Sequence, residues 1–238
     1  MHIGRKITGL LGTVLLLLTM ACTESYQEVS YGPGSIVPEE VLETMGPDTF
    51  FVNIEVPDTI FELIYNCSYK DDCVLSLWDL RYLVFLHRNL EGQAVVGEMI
   101  VNKEIAQDVI EIMRELYDAS YPIEKARLVD YYDADDEKSM ADNNTVCFNW
   151  RTVSGTGVIS KHAIGMAIDI NPLYNPSYKF KEGVEMIYPE VGEEYVDRMS
   201  GYPYQIERGD ACYNAFVRRG FKWGGAWKSL TDYQHFEK

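Results

Sequence analysis

Four side chains in the C-terminal third of the chain have the types and spacing to hold a metal ion and use it. His162 and Asp169 lie in the run Ser160-Lys-His-Ala-Ile-Gly-Met-Ala-Ile-Asp169, and Asp232 and His235 in Asp232-Tyr-Gln-His-Phe-Glu237. Two imidazoles and one carboxylate can bind zinc and leave its fourth position open to water. A second carboxylate just before the last ligand is placed to accept that water's proton. The chemistry is metal-assisted hydrolysis. Neither half of the pattern is specific alone, but histidine is scarce here: the chain has four, and His2 falls in an N-terminal leader. Of His87, His162 and His235, two fall in these motifs. His87 sits in an apolar run with no obvious partner and is expected to be structural. Ser160, His162 and Asp169 are also the residue types of a serine triad, yet no G-x-S-x-G elbow surrounds the serine.

A strand over Gly165–Ile170 would put Met166, Ile168 and Ile170 on a core face and Ala167 and Asp169 on the other, a carboxylate with room beside it. One continuous strand would place His162 and Asp169 on opposite faces, so Gly165 is expected to bend the chain between them. Leu80–His87 and Ala94–Val101 read as two strands of a hairpin around Leu90-Glu-Gly-Gln93. A helix capped by Asn102 follows, with Ile105, Val109, Ile112, Met113 and Leu116 on one face. Further elements are an extended run Lys125–Tyr131, a short acidic helix to about Asn143, a strand over Phe148–Val153, and a helix over Arg208–Arg219 stopped by Gly220. A short helix near Asp58–Tyr65 stands in an otherwise irregular N-terminal third. Strands and helices mix without βαβ alternation, which predicts an α+β fold, a small antiparallel sheet with flanking helices.

At 238 residues and 47% hydrophobic, the chain can bury one substantial domain. Arg5 and Lys6 precede an apolar stretch from Ile7 to Met20 that reads as an export signal over residues 1–21. Cys22 follows Leu18-Thr-Met-Ala21, which resembles a bacterial lipobox, so Cys22 is expected to be lipidated and to anchor the protein to the membrane. Residues 22–35 read as a tether, 36–76 as an extension of unassigned role, and 77–238 as the catalytic domain. Export permits disulfides. Cys67, Cys73, Cys147 and Cys212 allow three pairings, and joining Cys67 to Cys73 would leave Cys147 with Cys212 as a long-range staple. With 37 acidic against 21 basic residues and a net charge of −16, the surface repels phosphate backbones, which argues against nucleic acid as a partner. A monomer is expected.

Beyond spacing, the motifs Phe148-Asn-Trp-Arg151, Ser160-Lys-His through Asp169-Ile-Asn-Pro172, Asn175-Pro176, and Phe221-Lys-Trp-Gly-Gly-Ala-Trp227 through Asp232-Tyr-Gln-His235-Phe resemble a known family. It is the zinc D-alanyl-D-alanine carboxypeptidase and L-alanyl-D-glutamate endopeptidase family, in its endolysin-like branch, from about Trp78 to the C-terminus. The resemblance implies a hedgehog-like α+β fold and one zinc ion held by His162, Asp169 and His235. It further implies Asp232 as catalytic base, Arg151 as a group that polarises the scissile carbonyl or holds substrate, and cleavage of peptidoglycan stem peptides. Ser160 would hydrogen-bond near the metal or simply form a turn. Trp223, Trp227 and Tyr233 would wall the substrate groove or, for at least one tryptophan, pack in the core. The competing readings are a zinc-stabilised wall-binding module without turnover and a D-Ala-D-Ala dipeptidase.

Overall fold

The hairpin that organises the protein is buried on both faces because its two strands are apolar at nearly every position. In a computed structural model that describes residues 30–153, 156–181, 184–202, 204–228 and 230–238, the chain begins with α1 (Glu39–Met45), β1 (Val52–Ile54) and α2 (Asp58–Ile64). Hairpin strands β2 (Leu80–Arg88) and β3 (Ala94–Asn102) follow, then α3 (Ala106–Asp118), β4 (Lys125–Ala126), α4 (Asp136–Ala141) and β5 (Asn144–Thr145). The C-terminal part contains β6 (Ala167–Asp169), β7 (Ser177–Lys181), β8 (Val184–Tyr188), α5 (Ala211–Val217), β9 (Lys222–Trp223), β10 (Thr231–Asp232) and β11 (His235–Glu237). Three small antiparallel sheets, ordered β1-β2-β3, β10-β7-β8 and β6-β11-β9, and one parallel pair, β4-β5, make this an α+β fold. The expected leader and Cys22 lie outside the described residues.

Strand alternation decides what covers each face of the hairpin. Leu83, Phe85, Met99 and Val101 join the main core with Val109, Ile112, Met113 and Leu116 of α3, Ile168 and Ile170 around β6, Phe216 of α5 and Phe236 of β11. On the other face Leu86, Ala94 and Val96 pack against Val37, Val41, Leu42 and Phe50, while Leu80, Tyr82 and Ile100 pack against Ile60 and Ile64. The N-terminal residues therefore cover half of the hairpin. They also extend its sheet: β1 pairs with β2, and residues 34–37 hydrogen-bond along the free edge of β3. Glu98, fully buried in β3, accepts from Tyr82 Oη at 2.7 Å and from Arg127 Nε at 3.0 Å, as a buried carboxylate requires.

Several local expectations are corrected. The helix after the hairpin starts at Ala106 with Ile105 before it; Asn102 instead takes the Glu104 amide on its Oδ1. Only Lys125 and Ala126 of the Lys125–Tyr131 run are strand, and Val129–Tyr132 form a 3-10 turn. Phe148–Val153 form no strand: the Asn149 amide donates to His162 O, the Trp150 amide to Ser68 O, and Thr152 makes one bridge with Ile159. Cys67, Cys73, Cys147 and Cys212, the cysteines among the described residues, are free thiols, so neither expected disulfide forms. Their surroundings differ: the Cys67 thiol lies by Asp130, that of Cys73 by the Leu75 backbone, that of Cys147 by Asp169 and Ala167, and that of Cys212 by Tyr121.

Candidate metal centre

Asp169 and His235 face each other because β6 and β11 are antiparallel neighbours with these two residues directly paired. Opposed residues of such a ladder present their side chains to the same face, and here His235 Nδ1 lies 3.0 Å from Asp169 Oδ1. His162 arrives from a different element. It opens a 3-10 turn, His162–Ile164, closed by Gly165 at φ 64°, the bend expected between His162 and Asp169. The turn is clamped to the end of β3, where Asn102 N donates to Gly165 O at 2.9 Å and Asn102 Nδ2 to Ile164 O at 3.0 Å. His162 Nε2 consequently sits 3.2 Å from both His235 Nδ1 and Asp169 Oδ2.

The outer nitrogens of the two rings fix which atoms point inward. A carbonyl can only accept, so the 2.7 Å contact of His162 Nδ1 with Cys147 O puts the proton on Nδ1 and leaves the lone pair of the neutral ring on Nε2. His235 Nε2 lies 3.4 Å from Glu237 Oε2, which favours its proton there and a lone pair on Nδ1. Two lone pairs and a carboxylate then converge, with one ligand atom from each residue within 4.8 Å of the others and all three residues buried. Such a group repels itself unless a cation or a proton occupies its middle. Imidazoles whose outer N–H is held by a carbonyl or a carboxylate are the usual ligands of a transition metal. The residues fit a zinc ion.

Electrostatics report the same focus. Burial alone would lower the His235 pKa, but hydrogen bonds to Asp169 and Glu237 push it up to about 10. Burial would raise that of Asp169, and the two histidines instead hold it well below the usual carboxylate range. Burial pushes the Asp232 carboxyl up to about 7; His235 and Arg151 pull it down, while the Asp169 charge pushes it further up. Asp232 is positioned by the pairing of β10 with β7, where it opposes Ser177. Its Oδ1 is buried and has no hydrogen-bond partner among the described residues, as expected of a group reserved for a reactant. Gly224 makes room for it: a Cβ there would lie 2.7 Å from Asp232 O and 3.2 Å from His235 Cβ.

The remaining predicted residues sort themselves by contact. Arg151 is half-buried in an ion pair between its Nε and Asp136, and its charge is felt at Asp232. Ser160 is buried and its Oγ accepts the His162 amide at 3.2 Å, which makes it a turn-forming serine under the ligand. The Trp227 ring stands 5.2 Å from the His235 ring and is half-buried, at the edge of the site. Trp223 belongs to the core, its Nε1 bound to Tyr233 O at 2.8 Å, and the Tyr233 ring lies 4.3 Å beneath the Arg198 guanidinium. Cys67, Cys73 and Cys212 are not among the side chains gathered here; Cys147 contributes its carbonyl. Sequence reasoning missed Glu237 and Asp136, although Glu237 stands at the end of the quoted Asp232–Glu237 run.

No curated protein and no solved structure matches the chain. A family model described as D-alanyl-D-alanine carboxypeptidase matches residues 154–238, a segment that holds His162, Asp169, Asp232 and His235 but not Arg151 or the N-terminal hairpin. The motifs and the match agree: over residues 154–238 this chain is similar to the D-alanyl-D-alanine carboxypeptidase family.

Proposed function

We propose that the protein is an exported zinc peptidase that hydrolyses peptide bonds in peptidoglycan stem peptides, as a D-Ala-D-Ala carboxypeptidase or an L-Ala-D-Glu endopeptidase. The observation that carries this reading is a buried His-Asp-His group beside a half-buried carboxylate, Asp232, whose Oδ1 has no hydrogen-bond partner among the described residues. His162, Asp169 and His235 would hold a zinc ion, which would supply Lewis acidity and lower the pKa of water to about 7. Asp232, with a carboxyl shifted toward neutrality, is suited to take a proton from water and pass it to the leaving amine. Arg151 supplies positive charge for the oxygen of the scissile carbonyl. The buried ladder of β6 and β11 keeps the ligands from rearranging during turnover. A purely structural zinc site would have no use for Asp232 and would close the fourth position with another ligand. The proposed address is the bacterial envelope, through lipidation of Cys22; among the described residues no helix is long and apolar enough to cross a membrane.

The test is mass spectrometry of purified muropeptides after incubation with the protein, with and without a chelator. Loss of a terminal D-alanine, or scission within the stem, names the bond; release of D-alanine from the free dipeptide alone would make the enzyme a dipeptidase instead. Asp232→Asn is expected to keep its zinc and lose on the order of 10²–10⁴-fold in kcat. Full activity after thorough chelation would overturn the zinc mechanism, and full activity of the zinc-loaded variant would overturn the base.

A further inference from the structure

We propose that Asp136 is the positioning residue for Arg151, a carboxylate that ties its guanidinium to the segment reaching the His162 turn. This rests on the reading of Arg151 and Asp232 given above. Asp136 is the first residue of α4, where an acid ordinarily does no more than favour the helix end. That duty is already filled by Asp135, whose Oδ1 accepts the Lys138 amide at 3.2 Å. Asp136 instead directs both carboxylate oxygens across to the segment that carries Arg151. Oδ1 accepts from Asn149 Nδ2 at 2.8 Å, and Oδ2 forms the ion pair with Arg151 Nε. Asn149 is buried and is itself tied on two further sides, its Nδ2 to Ala134 O at 3.1 Å and its amide to the carbonyl of His162 at 3.3 Å. A continuous set of contacts thus runs from the metal-ligand turn through Asn149 and Asp136 to Arg151.

The use of Nε is what gives the arrangement its purpose. The ion pair engages Nε by charge and close approach, without a directed hydrogen bond, while the two terminal amino groups, which make no hydrogen bond among the described residues, stay free to meet a substrate oxygen. With side-chain exposures of 34% for Arg151 and 28% for Asp136, the pair is partly shielded, so the charge-assisted contact is stronger than at an open surface. Arg151 also senses Asp232.

Zinc-loaded, ¹⁵N-labelled protein separates this from a structural role. The Arg151 Nε–H resonance, assigned by its disappearance in Arg151→Lys, is expected to be shifted by the neighbouring carboxylate, and to lose that shift in Asp136→Asn. In the same variant kcat/KM on muropeptides is expected to fall on the order of 10²-fold, as for a misplaced catalytic group, with zinc content unchanged. Asp136→Glu should restore part of the loss, and Asp136→Asn should cost nothing further in an Arg151→Lys background. An unchanged Nε–H signal, a wild-type rate, or an equal loss in that background would each overturn the assignment. A wild-type protein that cleaves no stem peptide would end the peptidase reading, and the resonance would still decide whether Asp136 holds Arg151.

Discussion

His235 shows how tightly the three candidate ligands are coupled. Its folded pKa stands near 10 against an ordinary 6.5, because Asp169 and Glu237 hold the charged ring. The sign follows: this proton stabilises the metal-free fold fully below pH 6.5, and the contribution is lost as pH rises through about 10. Coordination needs the Nδ1 lone pair, so zinc must displace the proton. Calorimetric titration at pH 7 in buffers of different ionisation heat should report release of about one proton per zinc, with apparent affinity rising with pH. Binding heats independent of the buffer would rule out His235 as the proton donor and place the expected ligand set in doubt. The principal residues of this site were legible in the sequence because histidine is rare here and each one recurs at a usable distance from a carboxylate. Glu237 and Asp136 were not, since 37 acidic residues give no composition signal and only the fold shows which imidazole or guanidinium each one meets.

At the scale of elements, the site depends on where a three-residue turn meets the end of a strand. Gly165 closes the His162 turn at φ 64°, and a Cβ on it would lie 2.6 Å from Asn102 N. Gly165→Ala therefore suffers both left-handed strain, about 1–3 kcal/mol, and a backbone collision that must move the turn away from β3. Gly92, at φ 78° in the hairpin loop, where an added Cβ would meet nothing within 4 Å, is the control that carries strain alone. Denaturant titration should show Gly165→Ala less stable than Gly92→Ala, and only the former should bind zinc more weakly. Equal stability and equal zinc affinity in the two variants would mean that the turn is not what places His162. The bend at Gly165, the hairpin and α3 could be read in advance because glycine conformation and hydrophobic period are local properties. Phe148–Val153 has strand-like composition yet forms none, because the Asn149 and Trp150 amides meet carbonyls of separate segments and only Arg151–Val153 pair briefly with residues 158–160; no local pattern encodes that. The free cysteines failed prediction for the same reason, since an even count says nothing about which side chains meet.

For the molecule as a whole, the open question is what residues 36–76 contribute to a peptidase whose family match begins only at residue 154. In sequence this stretch looked irregular, because its apolar residues are spread among prolines and short turns with no sustained period. The fold gives six of them a place in the core: Val37, Val41, Leu42, Phe50, Ile60 and Ile64 are buried against the second face of the hairpin, and β1 extends its sheet. Burying a side chain of this kind is worth about 1.5–3 kcal/mol, so six of them rival the entire stability of a typical domain, about 5–15 kcal/mol. The same segment reaches the active-site rim, where Ser68 O takes the Trp150 amide at 2.9 Å and Asp72 takes its indole N–H at 2.8 Å, one residue before Arg151. A chain starting at Leu77 would expose Leu80, Tyr82, Leu86, Val96 and Ile100 together and release Trp150. It is expected to lose cooperative melting and to associate, as large exposed apolar patches do, whereas a chain starting at Ser30 should melt in one transition. A Leu77 truncation that melts cooperatively at the temperature of the longer chain would show that the hairpin's second face needs no cover, and that the N-terminal segment serves some purpose other than completing the core.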